Sequence, residues 1–391
     1  MKLALVTEQL DLSRGGAERS TFELACALCD VDVKVTLIAA KINLPSVKDA
    51  PFAIQQLSIS GLTRTRRWQN FGKAVAEHIK KHDYDIVHSL VPLSCADIYQ
   101  PRGGSILYSL HRHLDSLSSP YWARIKLLTS CLNRSRYARI QSERALCRTP
   151  KGPLLAALSD YVARQFQTEY NLPQERIRLI RNGIKIDSLR SDAARAQGQK
   201  LRRLYDPDSD RALFLFAAEN LRLKGLAPLI RAAHDLLQQR AENLRDFRIM
   251  VVSSQKFSPY WKLAHSLGLD HHILFVGPTT CMPDLLNMCD AVVLPTYNDA
   301  CSRLVLESLA AGKPALTTRF NGAADFIIND KNGFIIDHAN DTTALTDALL
   351  QLCDPHLQQQ FSRTIESDRL YEQVSIQRHV HELLSLYQSL K

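Results

Sequence analysis

The stretch Ala291-Val292-Val293-Leu294-Pro295-Thr296-Tyr297-Asn298-Asp299-Ala300-Cys301-Ser302-Arg303-Leu304-Val305-Leu306-Glu307-Ser308-Leu309-Ala310-Ala311-Gly312-Lys313-Pro314 decides the fold. Its first four residues are apolar without alternation, the pattern of a strand buried on both faces, and Pro295 ends it. A polar loop follows. A helix then runs from near Ser302 to Gly312, with Pro314 beyond it. The same order recurs along the chain. One series of short apolar runs covers Lys2–Thr7, Val33–Ala39, Asp85–His88, Leu154–Leu158 and Ile177–Ile180. A second covers Ala212–Phe216, Phe247–Val252, Ile273–Val276, Ala291–Leu294, Ala315–Thr317 and Phe334–Ile336. Helical patterns separate them, such as Leu226, Leu229, Ile230, Ala233 and Leu237 at three-to-four spacing. Strand–helix alternation predicts parallel sheets covered on both faces.

The series breaks in the middle. Asn182-Gly183 is a turn signal, and Asp187 to Asp210 is polar and poor in apolar residues, so a linker is expected over 184–210. The last segment, Tyr371–Leu390, carries a helical stripe of Val374, Ile376, Val380, Leu383, Leu384 and Tyr387. The expected organisation is an N-terminal Rossmann-like domain over 1–187, a C-terminal one over 188–370, and a helix over 371–391 packing back on the first domain. Ligands of doubly wound sheets bind at the carboxyl ends of strands, near helix N-termini. The chemistry is therefore sought in the loops just after strands.

Composition narrows the class. The 391 residues include 49 Lys and Arg against 40 Asp and Glu, a formal charge of +9, with 45% apolar, 23% charged and 7% aromatic residues. A disordered or collagenous chain is excluded. No charge-free apolar run reaches the ~18 residues of a spanning helix. The N-terminal apolar run meets Glu8 too early for a signal sequence, so a cytosolic protein is expected. Nine scattered cysteines make a disulfide framework implausible in that compartment. Cys26 and Cys29 form one C-x-x-C without a second pair, and they read as small core residues of a helix rather than a zinc site.

Three loops stand out. Gly15-Gly16 follows the first strand and opens a helix; its glycines are adjacent, so a G-x-G-x-x-G dinucleotide fingerprint is absent and NAD is disfavoured. The free amides there suit an anion or a sugar hydroxyl, although a tight turn alone would use the same residues. Arg222-Leu223-Lys224-Gly225 lies between strand and helix. A lysine at a helix start opposes the helix dipole, a cost that makes sense beside a diphosphate clamped by Lys224 and Arg222, although solvated surface cations would give the same residues. In the third loop, Asp299 and Glu307 stand eight apart, one in the loop and one in the helix, with the amides of residues 300–303 facing the same pocket. Carboxylates accept hydrogen bonds from sugar and ribose hydroxyls.

Taken together these motifs resemble the retaining glycosyltransferases of family 4. The resemblance rests on Gly15-Gly16, Asn182-Gly183-Ile184, Arg222-x-Lys224-Gly225, Asp299-x7-Glu307 and Ala310-Ala311-Gly312-Lys313-Pro314, all in family order. Short strings, Gly15-Gly16-Ala17-Glu18-Arg19 and Ser142-Glu143-Arg144-Ala145, are similar to those of bacterial lipopolysaccharide-core glucosyltransferases. The resemblance implies a GT-B fold, two Rossmann-like domains facing each other across a cleft. It implies retained-configuration transfer of a sugar from a nucleotide diphosphate sugar to a glycolipid or saccharide hydroxyl, with no metal and no other cofactor.

Carried over residue by residue, Lys224, Asp299 and Glu307 are the expected catalytic set: Glu307 on the ribose, Asp299 on the donor sugar, Lys224 with Arg222 on the leaving diphosphate. Gly15, Gly16, Arg19, Arg102, Gly103, Cys301, Ser302 and Arg303 are expected to bind substrate. Asp299 replaces the usual Glu, Ala218-Glu219 replaces a Gly-Arg pair, and Arg303 replaces an apolar residue, either to add a phosphate contact or to alter the donor. Asp97, His111 and His113 are open candidates for an acceptor-side acid or base.

Residues 121–151 hold eight Lys and Arg against Glu143, with Trp122, Ile125, Leu128 and Leu132 on one helical face; Arg64, Arg66 and Arg67 cluster beside Trp68. Such basic amphipathic segments read either as a solvated helix face or as a peripheral contact with an anionic membrane surface, and the glycolipid-type resemblance points to the membrane. Nucleic acid is not expected as a partner, for want of a binding motif. Two other classes use the same fold: a sugar-nucleotide epimerase, which would convert donor without acceptor, and a non-catalytic nucleotide-sugar binder.

Overall fold

The computed structural model describes residues 1–12, 15–44, 50–117, 121, 125–126, 129, 133–207, 211–239, 245–279 and 281–391. Two units result: Met1–Asn182 with Ile376–Lys391, and Gly183–Ser375. Strands are numbered in chain order. The first unit has β1 (Lys2–Val6), β2 (Gln9–Asp11), β3 (Lys34–Ala39), β4 (Lys41–Asn43), β5 (Ala53–Gln56), β6 (Ile86–Ser89), β7 (Ile98–Tyr99), β8 (Leu154–Ala157) and β9 (Ile177–Leu179). The second has β10 (Arg211–Ala217), β11 (Asp246–Val252), β12 (Ile273–Val276), β13 (Ala291–Leu294), β14 (Ala315–Thr318) and β15 (Gly333–Ile336).

Both large sheets are parallel. The first runs β5-β3-β1-β6-β7-β8-β9 and the second β12-β11-β10-β13-β14-β15; β2 and β4 pair separately. Counted within each sheet, both orders begin 3-2-1-4-5-6. The direction of winding therefore reverses between β1 and β6, and again between β10 and β13. Loops diverge at such a reversal and leave a crevice beyond the strands' carboxyl ends.

β1 shows why the sheet is covered twice. Alternate side chains point to opposite faces. Leu3 and Leu5 pack with Leu24, Leu28, Leu383 and Tyr387 on one face. Ala4 and Val6 pack with Trp68, Phe71 and Val75 on the other. The first face is closed by helix Gly16–Cys29 together with the terminal helix Ile376–Gln388, the second by helix Arg64–Lys81. Each fully buried leucine or phenylalanine contributes about 1.5–3 kcal/mol. Cys26 and Cys29 pack against the first core, neither in a disulfide, and burial raises the Cys29 pKa.

Two expectations need correction. The stretch expected as a linker over 184–210 contains a helix, Asp192–Tyr205. Its polar residues are structural: Ser191 caps its start, and Arg202 reaches Asp290 at 2.9 Å and the buried Asp206 at 3.3 Å. At Gly198 an added Cβ would lie 2.7 Å from Asn287 Cβ, so the helix lies tight against helix Met282–Met288. Trp68, read as the aromatic of a membrane-facing basic cluster, is instead buried and donates its indole N–H to Ser142. Much of the basic amphipathic stretch over 121–151, including Trp122, Arg124, Leu128 and Leu132, lies outside the described residues. Among the described residues no helix is long and apolar enough to cross a membrane.

Candidate functional site

The second unit's winding reversal brings together the loops after β10 and β13. Leu223 is the hinge between them. Its carbonyl accepts from Tyr297 N at 2.9 Å and from Thr296 Oγ1 at 3.2 Å, and its side chain packs with Tyr297 and Ala339. Gly225 makes the approach possible. It has φ +80°, and a Cβ there would fall 2.0 Å from the Pro295 carbonyl oxygen. Only glycine combines that backbone angle with that clearance.

The seam places Lys224 against the acid loop. Its Nζ donates to Asp299 Oδ2 at 2.6 Å and to the Asn298 carbonyl at 3.1 Å. Both side chains keep about a fifth of their surface, 19% and 20%, so a ligand can reach the pair. The other carboxylate oxygen, Asp299 Oδ1, accepts from Cys301 N at 3.3 Å. Backbone contacts fix Asp299 further: its N–H donates to Phe320 O and its carbonyl accepts from Gly322 N, both at 2.9 Å. Ser302 N donates to Asn321 Oδ1 at 3.0 Å, and Asn321 Nδ2 donates to Thr317 Oγ1 at 2.9 Å. Asn321 is therefore the post that holds the start of helix Arg303–Ala310. Cys301 and Ser302 are buried in this loop, with the serine hydroxyl not capping the helix.

Glu307 is one helical turn after Arg303, and the Arg303 guanidinium donates to its Oε1 at 2.7 Å. The contact is nearly closed to water, with 15% and 11% of the two side chains exposed. Arg303 thus orients the acid. Arg222 is half-buried and close to Tyr260, where its charge opposes the upward shift that burial imposes on the phenol. Glu219, in place of an expected arginine, accepts from Ser254 Oγ.

In the first unit, Gly15 precedes helix Gly16–Cys29 and accepts from Arg19 N at 3.3 Å; the Arg19 side chain pairs with Glu23 at 3.3 Å and is mostly exposed. Arg102, after β7, donates to Ser20 Oγ at 3.4 Å in that helix and to Asn182 Oδ1 at 3.2 Å. Gly103 is exposed with open space around it. The close approach belongs to Gly104, whose Cβ would fall 2.4 Å from Gln165 Oε1. Asp97 sits at the amino end of β7 and accepts from Val87 N at 2.7 Å, away from the sheet edge where ligands bind. His111 lies 3.7 Å from Glu169. His113 alone of the three lines a cavity of about 400 Å³ beyond the carboxyl ends of β6 and β7.

Two family models match in tandem. "Glycosyltransferase Family 4" covers residues 14–188 and "Glycosyl transferases group 1" covers residues 199–368. The chain is a family 4 type GT-B glycosyltransferase. Among its relatives is the lipopolysaccharide glucosyltransferase WaaG of Escherichia coli K12, 24% identical over 291 residues, 74% of each chain. The crystal structure of WaaG, a glycosyltransferase involved in lipopolysaccharide biosynthesis, superposes with a TM-score of 0.78 at 20% identity, over 98% of this chain and 99% of that one. Anabaena HepE in complex with UDP and glucose has a TM-score of 0.70 at 17% identity, over 98% and 99%.

The glycosyltransferase also contains supports whose role no motif gave. Glu143, within the Ser142–Ala145 string, is fully buried and accepts from Tyr99 OH at 2.7 Å, Tyr170 OH at 2.6 Å and Ile106 N at 2.9 Å. Burial raises its pKa, against those hydrogen bonds. It anchors the loop after β7 to three elements. His88, on β6, bonds Tyr387 OH at 2.6 Å and ties in the terminal helix; burial holds its pKa down to about 3. No motif marked Asn321; its place directly before Gly322, a common turn pair, is the cue the sequence holds to that post.

Proposed function

We propose that this enzyme transfers a sugar, with retained anomeric configuration and without a metal, from a nucleotide diphosphate sugar to a hydroxyl of a glycolipid or saccharide acceptor. The Lys224–Asp299 contact, at the winding reversal and one loop from Glu307, carries the reading. The proposed donor seat is the crevice beyond β10 and β13. Glu307, held by Arg303, presents a carboxylate to the ribose hydroxyls. Asp299 accepts from the donor sugar's hydroxyls. Lys224 changes partner when donor binds, from carboxylate to diphosphate, with Arg222 beside it on the same loop. The HepE complexes with UDP and with UDP-glucose support a nucleotide sugar as the ligand of this fold.

The chemistry follows from charge. The glycosyl–phosphate bond breaks through an oxocarbenium-like state, and negative charge grows on the departing diphosphate. The acceptor hydroxyl bonds to the anomeric carbon and passes its proton to the departing phosphate oxygen, which also takes the electron pair of the broken bond. A preorganised cation at the leaving oxygen needs no reorganisation, and losing one such group costs about 100–1,000-fold in rate. Lys224 and Arg222 supply that charge, a role a divalent ion would otherwise fill.

The relation to WaaG favours a lipopolysaccharide-type acceptor, and the surplus of Lys and Arg over Asp and Glu favours work at the inner face of the membrane. A thermal-shift screen against UDP-, GDP- and ADP-sugars fixes the donor. The product's anomeric coupling constant then reads the stereochemistry. Inverted product, or transfer that stops on adding a chelator, refutes the corresponding part of the proposal.

A further inference from the structure

The Ala310-Ala311-Gly312-Lys313-Pro314 string closes the helix that bears Arg303 and Glu307. Lys313 N donates to Ser308 O at 2.9 Å and Gly312 N to Leu309 O at 3.1 Å, around a Gly312 with φ +75°, the paired bonds of a Schellman cap. Ala311 N serves Glu307 O at 3.0 Å, and Pro314 has no N–H to give. That leaves the carbonyl of Ala310, the last residue of the helix. It is taken by a side chain 120 residues away: Arg190 Nη1 donates to it at 3.1 Å.

Arg190 is fixed on its other sides. Its two terminal nitrogens reach the two oxygens of Glu366, each at 2.9 Å, and its guanidinium lies 4.1 Å over the Tyr371 ring. Gly312 makes room for this pair, since a Cβ there would fall 2.8 Å from Glu366 Oε1. Arg190 and Tyr371 belong to the stretches by which the chain enters and leaves the second unit, and those stretches are joined directly, Ile184 N to Val374 O at 2.9 Å. Charge explains why an arginine stands here. The carbonyl end of a helix attracts cations and repels anions. Glu366 sits against that end, and Arg190 bridges carboxylate and carbonyl. Its hydrogen bonds hold the Glu366 carboxyl below the usual pKa. Without Arg190, a bare carboxylate would face the negative end of an eight-residue helix whose last turn carries Glu307.

We propose that Arg190 is a positioning residue for the transfer: by bridging Glu366 and the Ala310 carbonyl, it sets the helix end from which Glu307 meets the donor's ribose. The inference rests on the donor seat proposed above and adds a support that lies in neither of its loops. Arg303 holds the Glu307 carboxylate from within the helix, and Arg190 holds the helix itself.

Calorimetric titration of the full chain tests this in a cycle with Glu307, using whichever of UDP-, GDP- and ADP-glucose gives the largest thermal shift. Arg190→Met keeps an unbranched side chain over Tyr371 and should weaken donor binding about tenfold, the scale of one lost charge-assisted hydrogen bond. Arg190→Lys returns a cation to the helix end and should recover affinity to within about threefold of wild type. In the Glu307→Ala background, Arg190→Met should cost no more than about a further twofold, because its effect passes through Glu307. If Arg190→Met does not fold, the double variant Arg190→Met with Glu366→Gln takes its place. It removes the stranded carboxylate and should still lose about threefold in affinity, again only while Glu307 is present. Wild-type affinity in the variant tested, losses that multiply with Glu307→Ala, or an Arg190→Lys protein that gains nothing over Arg190→Met overturns the inference. A donor loss in Glu307→Ala leaves the donor seat standing in each of those cases. Undiminished affinity in Glu307→Ala overturns the seat, and this role for Arg190 with it.

Discussion

Gly225→Ala tests whether the seam between the two donor loops positions the chemistry. A Cβ at this residue would sit 2.0 Å from the Pro295 carbonyl oxygen, where contacts under 3.0 Å essentially never occur. The loops must separate by about 1 Å, and Lys224, the next residue, moves with them. Its 2.6 Å contact with Asp299 then breaks. A misplacement of ~1 Å costs about 100-fold in rate. The positive φ adds ~1–2 kcal/mol of destabilisation, a fall of about 2–8 °C in Tm for a unit of this size. Gly268→Ala is the control. That residue has φ +69° with nothing near its Cβ, so the backbone penalty is present without the clash. Release of nucleoside diphosphate, measured with a coupled assay, should fall about 100-fold in Gly225→Ala and stay unchanged in Gly268→Ala, with both melting lower. Wild-type turnover in Gly225→Ala would show that the seam does not position the reacting groups.

Arg303→Ala frees Glu307 from its 2.7 Å donor, and donor KM should rise about tenfold with kcat little changed; a fall in kcat alone would place Arg303 at the reacting centre instead. His88 titrates near 3 when folded, because burial disfavours the imidazolium, against an ordinary value of about 6.5. The unfolded chain therefore binds more protons between those values, and the contribution is intact above pH 6.5 and lost as pH falls towards 3. Stability should drop by up to about 1.4 kcal/mol per pH unit in that window, and His88→Asn should flatten the slope in urea melts. Flotation with anionic liposomes at low salt should carry the protein, since each Lys or Arg near an anionic leaflet contributes ~1 kcal/mol; absence from the lipid fraction at low salt would reject the membrane role.

The parallel sheets were legible because their strands are short, apolar and unalternating. β2, β4, β5 and β7 escaped that reading. Three of them have only two or three residues, and β5 is a partly exposed strand ending Gln55-Gln56 at the sheet edge. The helix Asp192–Tyr205 escaped for another reason. Its arginines look like linker composition, yet Arg202 serves Asp206 and Asp290, partners 4 and 88 residues away. In the loops after β10 and β13, Lys224, Asp299 and Glu307 were legible as a spaced set. What spacing could not supply is contact: that Arg303 grips Glu307, that Gly225 sets the loop against Pro295, and that Asn321 holds the amide of Ser302. These supports act through space, and single-sequence periodicity carries no record of them.

Calorimetric titration of the wild type, Lys224→Ala and Glu307→Ala with the nucleotide sugar chosen by the thermal screen puts the most direct question. The account predicts saturable binding by the wild type and a loss of about tenfold or more in each variant, with melting close to wild type. Undiminished affinity in both folded variants would contradict it, because the donor would then be held elsewhere than beyond β10 and β13.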